Sequence, residues 1–245
     1  MLIPDELRLL RFLGRRHFEN WGAIIDGGCF LGGSTTALAE GVLANAAWQG
    51  APRRPVIHSF DRFRVEDYTI PTYFPPERAG TSFRAEFDAN TERYRHLLEV
   101  HDGDITAHSW AGEPIEILFI DVAKTMSVND HVIETFFPSL VPGHSLVVQQ
   151  DYLWHQVMGW LQMTMEYLAD CFEIVTDTQV HSVVFLTVER VPVELASSRP
   201  TMTLRRAEIE RLLTRAADRF SGEQRTWLQQ AAGDFMDMLA AEGRP

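Results

Sequence analysis

The chain has 245 residues, 45% of them hydrophobic and 23% charged, with a formal net charge of −12. That length suits one compact domain with additions and can bury a substantial core. A field of that sign opposes nucleic-acid backbones and anionic membranes, so neither is an expected partner. Cys29 and Cys171 are the two cysteines, and they form no CxxC pair. One disulfide is open to them, but a secreted disulfide framework or a cysteine metal signature is not. The N-terminus is charged from Asp5, and no apolar run approaches a bilayer's span, so a reduced, cytoplasmic protein is expected.

Asp5 to Asn20 reads as an amphipathic helix, with Leu7, Leu10, Phe12, Leu13 and Phe18 in a rough stripe and Asp5 as its cap. A strand through Ala23-Ile24-Ile25 ends at Asp26, and a helix follows over 34–47. Between them runs DGGCFLGGST, residues 26–35. A strand, a glycine-rich bend and a helix N-terminus in that order make a cofactor site in an open α/β sheet. Glycine serves there because the backbone must turn tightly or approach a ligand closely.

Pro55 to Phe60 forms a second strand ending at Asp61. Residues 62–82 are irregular, with Pro71, Pro75, Pro76 and Gly80 among Tyr68, Tyr73 and Phe74. Such a segment either makes a lid over a substrate or packs its aromatics back on the domain. A helix over 83–98 leads to a short strand at Glu99-Val100-His101, then Gly103-Asp104. Ile115 to Ile120 is a buried strand ending at Asp121, and Asn129 to Leu140 a helix. Ser145 to Val148 is another buried strand, followed by Gln149-Gln150-Asp151 and a helix over 153–170. The rhythm then changes: Cys171–Thr176 and Ser182–Val188 read as a hairpin. Helices over 203–220 and 222–241 close the chain.

This alternation predicts an α/β fold: a doubly wound, mainly parallel seven-stranded sheet with a C-terminal antiparallel hairpin. The expected division is a main domain over 1–195, with the 62–82 insertion, and a helical extension over 196–245. Leu204, Ile209, Leu212, Leu213 and Trp227 give that extension an apolar side, for docking on the core or for a homodimer contact. Asp26, Asp61, Asp104, Asp121 and Asp151 all fall at or just after strand ends, where ligands bind in such sheets.

Asp26-x-Gly28-x-x-x-Gly32-Gly33-Ser34 resembles the glycine-rich motif of class I S-adenosylmethionine-dependent methyltransferases, and its GGST ending is similar to the macrocin O-methyltransferase group. Phe60-Asp61 resembles their second motif, and Gly103-Asp104-Ile105 the segment that meets adenine. Phe119-Ile120-Asp121-Val122-Ala123-Lys124 resembles the strand end of catechol and caffeoyl-CoA O-methyltransferases. Val141-Pro142-Gly143-His144 is similar to the lead into their fifth strand. The resemblance spans roughly 20–190. It implies S-adenosylmethionine held by Asp26, Gly28, Gly32, Ser34, Asp61, Asp104 and Asp121, with Asp61 on the ribose hydroxyls. It implies methyl transfer to a hydroxyl of a small molecule or sugar, in a natural-product setting. It also places an Mg²⁺ site at Asp121 and the Gln150-Asp151 pair. Relatives carry Asp-Asp or Asp-Asn at that pair, so Gln150 leaves two carboxylates and the metal undecided.

The catalytic candidates are Asp121, Lys124, Asp151 and His155. Were a helix to begin near Asp151, His155 would share its face as a base beside an orienting carboxylate. Two rival readings remain. A dinucleotide fingerprint wants GxGxxG and an acid about twenty residues on; here the spacing is GxxxGG, with Asp61 well beyond it, which disfavours an NAD(P)-dependent oxidoreductase. The other rival is a cofactor-binding interaction protein without turnover.

Overall fold

The computed structural model describes residues 2–49, 54–154 and 158–244. The chain divides into two compact units between His108 and Ser109. The first holds α1 (Pro4–Arg16), β1 (Ala23–Gly27), α2 (Gly33–Leu43), β2 (Ile57–Asp61), α3 (Arg84–Thr91) and β3 (Leu98–Asp102). β2 pairs in parallel with both β1 and β3. Every residue of β1 is buried, as expected of a strand covered on both faces.

α1 begins at Pro4, not Asp5. Asp5 lies in its first turn, and Glu6 Oε2 accepts from the Ile3 N–H at 2.8 Å in the capping role. The helix stops at Arg16, short of Asn20, and Asn45 Nδ2 donates to the Gly14 carbonyl in its last turn and to the Phe18 carbonyl just beyond it. α1 lies unusually close to α2: a Cβ on Gly14 would stand 2.6 Å from the Leu38 carbonyl.

The second unit holds β4 (Ile115–Ile120), α4 (Met126–Phe136), β5 (Leu146–Gln149), α5 (Gly159–Tyr167), β6 (Phe172–Asp177) and β7 (Val183–Thr187). Two short helices follow, α6 (Val193–Ala196) and α7 (Pro200–Thr203), and then the longer α8 (Arg206–Asp218) and α9 (Gly222–Ala241). β4 and β5 are parallel, whereas β7 is antiparallel to β5 and β6. The seven strands run in the order β3-β2-β1-β4-β5-β7-β6. This is the doubly wound sheet with a terminal hairpin that the alternation predicts.

α8 and α9 dock on α5. Glu166 of α5, buried, accepts from Arg219 Nε at 2.6 Å and lies 2.9 Å from Arg215 Nε. Phe235 of α9 packs edge-on to Trp160, and Gly159 admits it, since a Cβ there would lie 2.6 Å from Phe235 Cβ. α5 therefore starts at Gly159 and not at 153. Residues 151–153 form a turn instead, in which Asp151 has a left-handed φ of 61°. Among the described residues no helix is long and apolar enough to cross a membrane.

Candidate active site

In the first unit, the glycine-rich bend is held by backbone hydrogen bonds. The Phe60 carbonyl accepts from the Gly28 and Cys29 N–H groups, and the Cys29 carbonyl accepts from Gly32. Gly28 and Gly32 have φ of 91° and 90°, a region side chains rarely adopt. At Gly32 a Cβ would also stand 2.6 Å from Thr91 Cγ2 and against Phe87. Gly32 caps α2, whose first turn carries no acidic residue, so its free N–H groups are open to an anionic group. Ser34 lies in that turn and is buried.

The two acids of this unit do different jobs. Asp26 is wholly buried, and its Oδ2 accepts from Thr35 Oγ1 at 2.5 Å, with Ser59 Oγ 3.3 Å from the same hydroxyl. It ties the end of β1 to the first turn of α2. Asp61 holds two strained turns: Oδ2 accepts from the Phe30 N–H and Oδ1 from the Phe63 N–H, both at 2.8 Å. Phe30 and Phe63 have φ of 47° and 46°, so the carboxylate stabilises backbone that neither aromatic residue favours. Burial raises the pKa of Asp61, against those backbone N–H groups, which lower it. A carboxylate accepts about four hydrogen bonds, so Asp61 keeps capacity for hydroxyl donors. Asp104 is first a turn former: its Oδ1 accepts from the Thr106 N–H at 3.0 Å and from its hydroxyl at 2.8 Å.

The insertion packs back on the bend. Phe63, Val65 and Phe74 are buried in one cluster with Cys29, Phe83 and Phe87, and Phe30 packs on Tyr73 and Phe83 with centroids 5.2 Å apart in each pair. Tyr68 alone of the insertion's aromatics is open to solvent, at 83%.

In the second unit, Lys124 sits among three oxygens. Its Nζ donates to Asp121 Oδ1 at 2.5 Å, Asp151 Oδ2 at 2.6 Å and Gln150 Oε1 at 3.1 Å. The loop that presents it is anchored at one end by Trp160 Nε1 donating to the Ala123 carbonyl at 3.0 Å, and at the other by Thr125, whose Oγ1 caps α4. Burial lifts the Asp121 carboxyl to about 6, with Asp151 adding and Lys124 opposing. Desolvation works against the Lys124 ammonium, but the two carboxylates outweigh it and raise its pKa.

These are the three oxygens that the resemblance assigns to Mg²⁺. A dication does not fit them with Lys124 in place, because an ammonium already holds all three and would be pressed against like charge.

The expected pairing of Asp151 with His155 falls on a residue outside the described ones; Asp151 itself lies in a turn before α5. Asp151 Oδ1 instead faces His181 Nδ1 at 3.7 Å. His181 comes from the β6–β7 turn; its carbonyl accepts from the Leu153 N–H, and Trp154 stacks on its ring at 4.8 Å.

No protein-family model matches the sequence, and no curated protein is similar to it. Solved structures do match. The O-methyltransferase NovP aligns over 76% of this chain and 80% of its own, at TM-score 0.55 and 15% identity. CalS11, a TDP-rhamnose 3'-O-methyltransferase of calicheamicin biosynthesis, aligns over 74% of this chain and 78% of its own, at TM-score 0.51 and 17% identity. The chain has a methyltransferase fold.

On that methyltransferase fold, the bend and Asp61 stand where their motifs place them, after the first and second strands. Lys124 is near Asp121 by sequence, but its ion pair with Asp151 is a product of folding. His181 was not legible as a neighbour of Asp151, thirty positions away on a hairpin turn. The one signal was that the turn joins the strand beside β5, whose end carries Asp151.

Proposed function

We propose that the chain transfers the methyl group of S-adenosylmethionine to a hydroxyl of a small molecule or sugar, without a divalent metal. One observation carries the reading: a bend with glycines at positive φ opens the N-terminus of α2 beside a strand-end carboxylate, on a methyltransferase fold. The names of NovP and CalS11 support a hydroxyl acceptor, and that of CalS11 a sugar.

The bend fits the donor. Gly28, Gly32 and Ser34, with the free N–H groups of α2, would hold its carboxylate end. Asp61 would accept from its ribose hydroxyls, and Asp104 would border its base. Asp26 acts from beneath by keeping β1 and α2 in register. When bound, S-adenosylmethionine supplies the activated methyl group.

The second unit supplies the acid–base chemistry. Asp121 is the proposed base: a carboxyl with a pKa of about 6 is ionised at neutral pH yet retains proton affinity. Lys124 is a resident cation that keeps Asp121 and Asp151 together and lowers the pKa of a hydroxyl brought to it. Asp151 is a positioning residue, acting through Lys124 and His181.

Calorimetry with S-adenosylmethionine and NAD, followed by a labelled-methyl transfer assay over hydroxylated sugars and phenols with chelator present, tests this. Binding of S-adenosylmethionine and chelator-resistant transfer are expected. Absence of S-adenosylmethionine binding overturns the reading, and NAD binding in its place selects an oxidoreductase. Donor binding with no transfer to any acceptor selects the interaction protein.

A further inference from the structure

Strand register brings three ligating side chains together at the edge of the first unit's sheet. His58 of β2 stands opposite Glu99 of β3, and Phe60 opposite His101. Side chains two apart on a strand share a face, so His58, Glu99, His101 and the Phe60 ring lie on one side.

The donor atoms converge. His58 Nδ1 is 3.2 Å from His101 Nε2. Glu99 Oε2 is 3.7 Å from His58 Nδ1, and its Oε1 is 3.8 Å from His101 Nε2. Bonds of about 2.0–2.1 Å from zinc to imidazole, opened at a tetrahedral angle, set two nitrogens about 3.3 Å apart. The histidine pair has that separation, and the carboxylate presents one oxygen to each imidazole nitrogen, at 3.7 and 3.8 Å.

The rings are also held in place. Phe60 stacks on His101 with centroids 4.1 Å apart and planes 7° from parallel, and His58 is buried. Burial first, and His58 next, lower the pKa of His101. The neutral imidazole that this favours is the form that binds metal.

We propose that His58, Glu99 and His101 form a binding site for a zinc-type divalent transition-metal ion, which clamps β3 to β2. Two imidazoles and one carboxylate suit such an ion, whereas Mg²⁺ and Ca²⁺ prefer oxygen donors alone. Three protein ligands leave a fourth position for water. The ion's role is structural: it crosslinks an edge strand and takes no part in methyl transfer.

The test is titration of metal-free, untagged full-length protein with Zn²⁺ by calorimetry and with Co²⁺ by visible absorption. One equivalent of Zn²⁺, tetrahedral Co²⁺ bands and a raised thermal midpoint are expected. His58→Asn and His101→Asn should abolish all three. Glu99→Gln changes a half-exposed carboxylate, so it keeps the fold and decides the matter if the histidine variants do not; it should weaken Zn²⁺ binding by about tenfold or more. Absence of saturable binding overturns the proposal. So does binding unchanged by Glu99→Gln, or binding lost in Asp151→Asn instead, which would put the ion in the second unit.

Discussion

Asp61 and the Asp121–Asp151 pair both stand at strand ends, yet opposite means hold them. Asp61 is satisfied by backbone N–H groups from the two loops beside it. Asp121 and Asp151 are satisfied by a side chain, the Lys124 ammonium. Backbone donors carry no net charge, so they leave the charge of Asp61 uncancelled, and its remaining lone pairs can accept from a ligand's hydroxyls. The ammonium cancels one carboxylate of the other pair and leaves a centre that handles charge during reaction. On the proposed function the first arrangement would serve binding and the second chemistry, and mutations should separate them.

The largest separation is expected at Lys124. Lys124→Met should cut transfer by about 10²–10³-fold while leaving donor affinity from calorimetry unchanged. The same variant frees the three oxygens, so it should bind Mg²⁺ where the wild type does not. Equal losses of transfer and donor affinity would break the division of labour.

Gly32 tests the opposite side. Gly32→Val demands a side chain at positive φ against Thr91 and Phe87, which should cost about 1–3 kcal/mol in chemical denaturation and abolish donor binding. Gly33 has open space and a helical backbone, so Gly33→Ala should leave the unfolding midpoint nearly unchanged. Asp61→Asn turns an amide N–H toward one of two backbone donors, and the unsatisfied group should likewise cost about 1–3 kcal/mol. Its donor affinity should fall with kcat retained at saturating donor.

A further separation is in pH. Asp121 has its folded pKa raised from 3.8 to about 6. Between those values the native chain holds a proton that the unfolded chain has released. Its contribution to stability therefore falls as pH rises through that window and is flat above it. Urea titrations from pH 4 to 7 should show that slope, and Asp121→Asn should remove it.

The same contrast explains what could be read from the sequence. The bend is legible because its parts are contiguous: strand, glycines and helix lie within about a dozen positions, where local backbone rules act. Ile115–Ile120 is legible for a similar reason, since all six residues are buried and an apolar run with a single polar break at Glu116 says so. The helix expected over 153–170 begins later, at Gly159, because the turn at 151–153 runs into its expected start, which composition alone does not mark. His181 and the Lys124–Asp151 pair depend on strand neighbours chosen by the whole sheet. The 62–82 insertion was balanced between lid and packing, and Phe30, a residue of the bend itself, tipped it by giving Tyr73, Phe74 and Phe83 a surface to meet.

Cys29 lies in that same bend, wholly buried, with its thiol pKa pushed well up by burial and then by Asp26 and Asp61. The proposed donor is itself an alkylating agent, and thiolates are the side chains it would most readily attack. Keeping this sulfur protonated makes the bend inert toward its own cargo. Prolonged incubation with S-adenosylmethionine should leave the mass of the chain unchanged, so the enzyme is spared suicide by methylation at the place where it holds its reagent.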